Sequence, residues 1–306
     1  METKKSTGHL LALLSVAVWG TTFISTKILL TAFKPVEILF FRFTIAFLAL
    51  LAVCPRRMKA ESASRELTFA AAGLCGVTLY FLLENIALTY TMASNVGVII
   101  STAPFFTALL SRVFDRTEDR LGAGFFAGFV LAIAGIALIS FNGSRLQLSP
   151  KGDLLTVLAA FAWACYSILT RKISRYGYSV LLTTRRIFFY GLVFVLPVLP
   201  FFGFSLGMTR FAGAKYLMNI LYLGLGASAA CFVTWNFAVK VLGAVKTSVY
   251  IYMTPVITTV TSVLILGEPL TWLSALGTLL TVAGLFLSEL SGRAVKKGRV
   301  KSEAAK

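Results

Sequence analysis

Histidine and acid are what this sequence has least of. His9 is the sole histidine among 306 residues, and 12 Asp and Glu stand against 29 Lys and Arg. The four cysteines, Cys54, Cys75, Cys165 and Cys231, lie in or beside apolar runs with no CxxC pair and no histidine nearby. A zinc site needs several such ligands together, and a disulfide framework needs a secreted, loop-rich chain. The cysteines therefore read as small buried apolar residues, and no metal or cofactor is expected. A GxxxxGK[ST] phosphate loop is absent, so ATP-driven pumping within this chain has no support. An intramembrane enzyme would need a nucleophile–base pair, paired carboxylates or metal ligands, and the apolar runs supply none of these. A channel would want a charged or carbonyl-lined filter, and none is recognisable.

Charge as a whole is scarce. Asp, Glu, Lys and Arg make up 13% of the chain and hydrophobic residues 58%, with a mean hydropathy of +0.84. Soluble domains carry about 25% charged residues, so the solvent for most of this chain is a lipid bilayer. The formal net charge of +17 does not mark a nucleic-acid partner, because the basic residues lie between long apolar runs instead of on one patch.

Ten runs are long enough to cross the hydrocarbon core as helices: 9–30, 36–54, 67–89, 93–114, 121–141, 153–172, 179–202, 214–239, 245–266 and 271–290. Their length excludes the short alternating strands of a β-barrel. The run from Leu10 to Leu30 is longer than the apolar core of a cleaved leader and reads as an uncleaved first helix. With the N-terminus placed in the cytoplasm, 20 of the 29 Lys and Arg fall in cytoplasmic segments, 6 in outer segments, and three, Arg42, Arg185 and Arg186, inside helices. This asymmetry predicts a multi-pass protein of the cell (inner) membrane with both termini cytoplasmic and a basic cytoplasmic tail over 293–306. Pro35 is placed to begin the second helix, while Pro104 and Pro255 fall inside the fourth and ninth and predict kinks there.

The chain repeats. A shift of 144 residues carries Trp19 onto Trp163, Thr26 onto Thr170, Lys27 onto Arg171 and Arg42 onto Arg186. A shift of 151 carries Asn85 onto Asn236 and Pro104 onto Pro255, and a shift of 149 carries Gly128 onto Gly277 and Gly135 onto Gly284. Rare residues in register are not produced by apolar composition alone. The repeat divides the chain into 1–145 and 150–292, five helices each. Five is odd, so the second copy enters the membrane inverted, the arrangement that secondary transporters use for alternating access.

Polar groups within the spans are costly and face a cavity or a partner. Arg42 and Glu84 lie at similar depth below the outer ends of their helices. They read either as a structural ion pair or as a site in which Glu84 binds a substrate ammonium or carries a proton. Arg185 and Arg186, near the inner end of the seventh span, suit snorkelling towards headgroups; Arg186, the repeat-mate of Arg42, has a carboxylate-binding role as its alternative and no acidic repeat-mate. The remaining cavity candidates are Trp19, Thr22, Tyr80, Asn85, Ser101, Trp163, Tyr166, Trp235, Asn236, Tyr250 and Tyr252. Each aromatic also suits a membrane interface, and the two asparagines also suit helix-to-helix bonds. Gly128, Gly135, Gly277 and Gly284 suit close packing of the fifth and tenth helices, as scaffold or as a dimer surface; monomer and homodimer both remain open.

Several stretches resemble the ten-helix EamA-type permeases of the drug/metabolite transporter superfamily. They are VWGTTFISTK (18–27), PVEILFFRFTIAFL (35–48), LENIALTYTMASNVGVIISTAPFFTALL (83–110) and AGFVLAIAGIAL (127–138), and in the second half AWACYSILTRK (162–172), WNFAVKVLGAVKTSVYIYMTPVITTVTSVLILGEPLT (235–271) and LGTLLTVAGLFL (276–287). The resemblance covers nearly the whole chain. It implies a central cavity lined by the first, third, fourth, sixth, eighth and ninth helices, and export or exchange of amino acids, related metabolites or amphipathic drugs. The chain departs from its own repeat at one telling place: Trp235 stands where the first half has Glu84.

Overall fold

A computed structural model describes residues 2–56, 58, 62–114, 123–140, 149–273, 275–284 and 286–287. The tail 293–306 and the junction near residue 145 lie outside the described residues. The described residues form an all-α bundle: α1 (Glu2–Leu29), α2 (Pro35–Val53), α3 (Ala63–Tyr90), α4 (Ala93–Phe114), α5 (Ala123–Ser140), α6 (Pro150–Ser174), α7 (Val180–Val198), α8 (Ala214–Leu242), α9 (Ala244–Leu266) and α10 (Ala275–Gly284). Among the described residues eight helices are long and apolar enough to span a membrane, while α5 and α10 have shorter apolar stretches, Phe126–Gly135 and Ala275–Gly284. This is a polytopic membrane protein. Large apolar side chains such as Leu67, Val113, Val130, Leu264 and Leu279 point outward, where hydrocarbon satisfies them. The backbone bonds close within each helix, as a lipid solvent demands.

Helix starts follow local chemistry. Pro35 opens α2, and the Glu37 carboxylate accepts from the Lys34 amide at 2.8 Å, satisfying a donor at the helix start. Ser149 caps α6 by accepting from the Gly152 amide at 3.3 Å, with Pro150 in the first turn. The two interior prolines do not bend a continuous helix. In α4 the α-helical hydrogen bonding stops at Ile100 and restarts at Ala103; in α9 a 3₁₀ segment, Val249–Met253, precedes a restart at Thr254. Pro104 and Pro255 each sit in the first turn of the restarted helix, where a missing N–H costs nothing. The third helix of each half carries a π segment, Leu74–Leu79 in α3 and Tyr222–Ala230 in α8.

Packing runs between the halves. α1 lies along α8 and α9, and α6 lies along α3 and α4; α2 meets the π segment of α8, and α7 meets α3; α2 also packs on α7, and α4 on α9. This set of partnerships is unchanged when the first and second five helices are exchanged. α5 and α10 touch through their glycines: a Cβ on Gly135 would meet the Gly277 carbonyl, and one on Gly284 the Gly128 carbonyl. That contact lies within one chain.

Candidate functional site

Eleven residues enclose a cavity at the centre of the bundle: Trp19, Thr22 and Phe23 from α1, Arg42 from α2, Tyr80, Phe81 and Glu84 from α3, Ile100 from α4, Trp163 from α6, and Ile251 and Thr254 from α9. Its volume is about 30 Å³, room for water but far below an organic ligand's pocket. Both helix restarts border it, Ile100 at the break in α4 and Thr254 at that in α9. A second small pocket around Ser94, Thr259 and Glu268 lies by the α4 N-terminus and is occupied with capping, as described below.

Arg42 is fully buried and Glu84 is 1% exposed. Insertion scales set the cost of one such charge at about 2.5–3.5 kcal/mol, which asks for compensation. The structure provides part of it. Arg42 Nε donates to Ser228 Oγ at 2.9 Å, and its guanidinium lies 4.2 Å from the centre of the Phe81 ring and 5.4 Å from that of Phe43. Tyr80 lines the same cavity as Glu84. Yet Arg42 Nη1, Arg42 Nη2 and Glu84 Oε1 have no hydrogen-bond partner among the described residues. Arg42 and Glu84 thus share a cavity without bonding each other. Each unmade hydrogen bond costs roughly 1–3 kcal/mol, and more for a charged group.

The aromatic wall is continuous. Trp19 stands edge-on to Trp163 at 5.1 Å and lies 5.0 Å from Trp235, and Tyr80 lies 5.0 Å from Trp163. The π segment of α8 shapes this wall from behind: Trp19 Nε1 donates to the Ala227 carbonyl at 2.8 Å, and the next residue is Ser228, which holds Arg42. A π turn displaces the helical hydrogen-bond pattern and releases backbone for such uses. Gly224 allows α8 to come this close, since a Cβ there would lie 2.7 Å from Ile45 Cγ2 and 3.2 Å from the Arg42 carbonyl.

Of the residues singled out in the sequence, Trp19, Thr22, Arg42, Tyr80, Glu84 and Trp163 line the cavity. The others lie apart from its lining. Asn85 Nδ2 donates to the Pro35 carbonyl at 3.0 Å, and Asn236 links α6 to α7 through Tyr166, at 2.8 Å, and Thr184, at 3.0 Å. Ser101 turns back to the Val98 carbonyl. Trp235 packs behind Trp19, Tyr250 meets His9 Nδ1 at 2.7 Å, and Tyr252 faces Phe286. Arg186 does have an acidic partner, contrary to the expectation from the repeat: Glu66 at the start of α3 lies 2.8 Å away and also accepts from Tyr190. The pair needs no repeat-mate because α3 and α7 pack directly. Arg185 does not snorkel freely; it donates to the Cys54 and Arg56 carbonyls and caps the end of α2. Helix α2 contributes to the lining through Arg42 although the resemblance implied α8, which supports from behind. Residues missed in the sequence are Phe81, Ile100, Ile251, Thr254 and Ser228. Phe81, Ile100 and Ile251 did carry a signal, since the 151-residue shift brings Phe81 onto Phe232 and Ile100 onto Ile251; Thr254 and Ser228 carried none.

At one end of the bundle Glu268 spans the halves. Its carboxylate accepts from the Ala93 amide at 2.8 Å, the Ser94 amide at 3.1 Å and Ser94 Oγ at 2.7 Å, capping α4 where the helix dipole favours negative charge. Lys27 lies 3.7 Å from Glu268 and donates to the Thr91 carbonyl at 2.7 Å. A separate pair joins Glu37 of α2 to Arg210 at 2.7 Å.

Residues 6–141 and 150–290 each match the EamA-like transporter family. An uncharacterised transporter of Archaeoglobus fulgidus is 31% identical, over 92% of this chain and 96% of its own length. A probable terminal-alkyne amino-acid exporter of Streptantibioticus cattleyicolor is 27% identical over 90% of each chain. A probable amino-acid metabolite efflux pump of Escherichia coli is 26% identical over 94% of this chain and 97% of its own. A solved structure shares the fold with a TM-score of 0.67 at 20% identity, over 95% of this chain and 99% of that one.

Proposed function

The chain belongs to the EamA-like transporter family and is a multi-pass membrane transporter, not an enzyme, and we propose that it exports small organic solutes, amino acids and related metabolites first among them, by alternating access. The observation that carries this is the exchange-symmetric packing of the two five-helix halves around one central cavity. Two copies of one sequence in opposite orientation have two packings of similar energy, and passing between them opens the cavity to opposite sides. The breaks in α4 and α9 supply matched bending points beside the cavity. The Lys and Arg asymmetry supports a cell-membrane topology with both termini cytoplasmic, which puts the Lys27–Glu268 bracket on the outer face. The amino-acid substrate class is supported by the named activities of two relatives.

Counterflow in proteoliposomes tests this reading. Vesicles loaded with one unlabelled amino acid at a time take up its labelled form transiently and saturably if the chain is a carrier. An imposed pH gradient in the same assay reads proton coupling. Absence of counterflow across the full amino-acid panel, in protein shown to be folded, removes amino acids as substrates.

A further inference from the structure

We propose that Arg42 anchors the carboxylate and Glu84 the ammonium of a zwitterionic amino acid with an apolar side chain, with Ser228 as the residue that aims Arg42. The proposal rests on the transporter reading for the identity of the cavity as the transport site, but its content is the chemistry of recognition. Two residues of one cavity lining, Arg42 and Glu84, carry three buried polar atoms without a partner among the described residues, Arg42 Nη1, Arg42 Nη2 and Glu84 Oε1. A fourth, the Trp163 indole Nε1, is also buried without a partner in the same wall.

The two sets of atoms are chemically complementary to one kind of solute. The two terminal guanidinium nitrogens form the fork that matches a carboxylate bidentately, and Trp163 brings a neutral donor to the same lining. A carboxylate oxygen accepts from an ammonium. A solute carrying both groups satisfies all four atoms at once; one carrying a single group leaves a buried charge unmatched, which strongly disfavours it. The remaining lining carries no further charge: Thr22, Tyr80 and Thr254 are neutral, and Trp19, Phe23, Phe81, Ile100 and Ile251 suit an apolar side chain.

The arginine is held for this task. With Nε tied to Ser228 at 2.9 Å and its face on Phe81, only the Nη edge is left to face the cavity. Because Ser228 lies in the π segment of the second half and Arg42 and Glu84 lie in the first, solute bound to Arg42 is sensed by both halves. The second repeat cannot build the same site, because Trp235 replaces Glu84 and Arg186 is engaged by Glu66.

The test separates recognition from transport. Purified full-length protein is heated with phenylalanine, leucine, phenylalaninamide, phenethylamine or 3-phenylpropionate, and the concentration that raises the unfolding midpoint is read for each. Phenylalanine and leucine are expected to raise it. The amide, amine and acid, each lacking one charged group, are expected to need roughly ten- to a hundredfold more. Arg42→Lys keeps the charge but loses the fork and is expected to cut phenylalanine affinity by a similar factor; Ser228→Ala, which leaves Arg42 in place, is expected to weaken it by several-fold. Equal effects of phenethylamine and phenylalanine, no effect of either amino acid, or wild-type affinity in both variants would overturn the assignment. Counterflow of labelled phenylalanine in the same preparation then judges the other reading. Binding without counterflow refutes transport and leaves the anchors standing, whereas equal counterflow of amine and amino acid refutes the anchors and leaves transport standing.

Discussion

Trp19 is a single residue that joins wall and frame. Its ring touches Trp163, Trp235 and Phe232, while its Nε1–H donates to the Ala227 carbonyl within the π segment of α8. The two contributions are separable. Trp19→Phe keeps much of the ring contact and loses the hydrogen bond, so the detergent-solubilised protein is expected to lose about 1 kcal/mol of stability. Trp19→Ala removes the ring from a packed interior and is expected to cost about 3–5 kcal/mol. Chemical denaturation of the two variants beside wild type measures both, and equal losses would show that the indole N–H does all the holding. Position 19 was readable in the sequence because an indole deep in an apolar run, matched by another at 163, stands out against lipid-facing leucine. Arg42 and Glu84 were readable for the same reason, the cost of charge in hydrocarbon. What was not readable was how they are satisfied. Ser228, Glu66 and the Ala227 carbonyl lie more than a hundred residues from the groups they serve, and nothing local marks them as partners.

At the scale of the helix, the chain's length and apolar runs were enough to place ten elements. The irregular turns were not visible. Both π segments form where a helix is pressed against a neighbour, α3 against α6 and α7, and α8 against α2, so tertiary packing and not local propensity selects them. Interior prolines suggested kinks, whereas the chain uses Pro104 and Pro255 to restart helices after a break. The contact between α4 and α9 beside those breaks is tight. A Cβ at Gly97 would lie 2.7 Å from Thr258 Cβ, and Thr258 is itself tied to the Gly20 carbonyl at 2.7 Å. Gly97→Val therefore has to push α9 away or distort α1. It is expected to lower stability by about 1–3 kcal/mol and to reduce the counterflow rate by more than the loss of folded protein explains. A Gly97→Val protein with unchanged stability would show that the two helices are not packed this closely.

For the whole molecule, the question is what joins the two halves at each end of the bundle. Glu268 makes three hydrogen bonds to the start of α4 and pairs with Lys27 on α1, so one carboxylate fastens three parts of the bundle across the two halves. Charge-assisted bonds of this kind are among the strongest a protein makes. Glu268→Ala is expected to weaken closure at that end and to leave the other end unaltered, which favours the state open on the Glu268 side. The readout is the cavity itself. Thr254 lines it and belongs to the α9 helix restart, so Thr254→Cys, in a chain whose four native cysteines are replaced by alanine, reports which side reaches the site. With Glu268 changed to Ala as well, labelling by a membrane-impermeant thiol reagent from the Glu268 side is expected to accelerate.

The same reporter with Glu268 intact gives the most direct test of alternating access. Thr254→Cys protein in oriented proteoliposomes is exposed to the impermeant reagent from one side and then, in a separate sample, from the other, during active counterflow. Alternating access predicts labelling from both sides, with each rate changed when substrate saturates the carrier. Labelling from one side only under every condition, while counterflow continues, would contradict the account and place the transport path elsewhere.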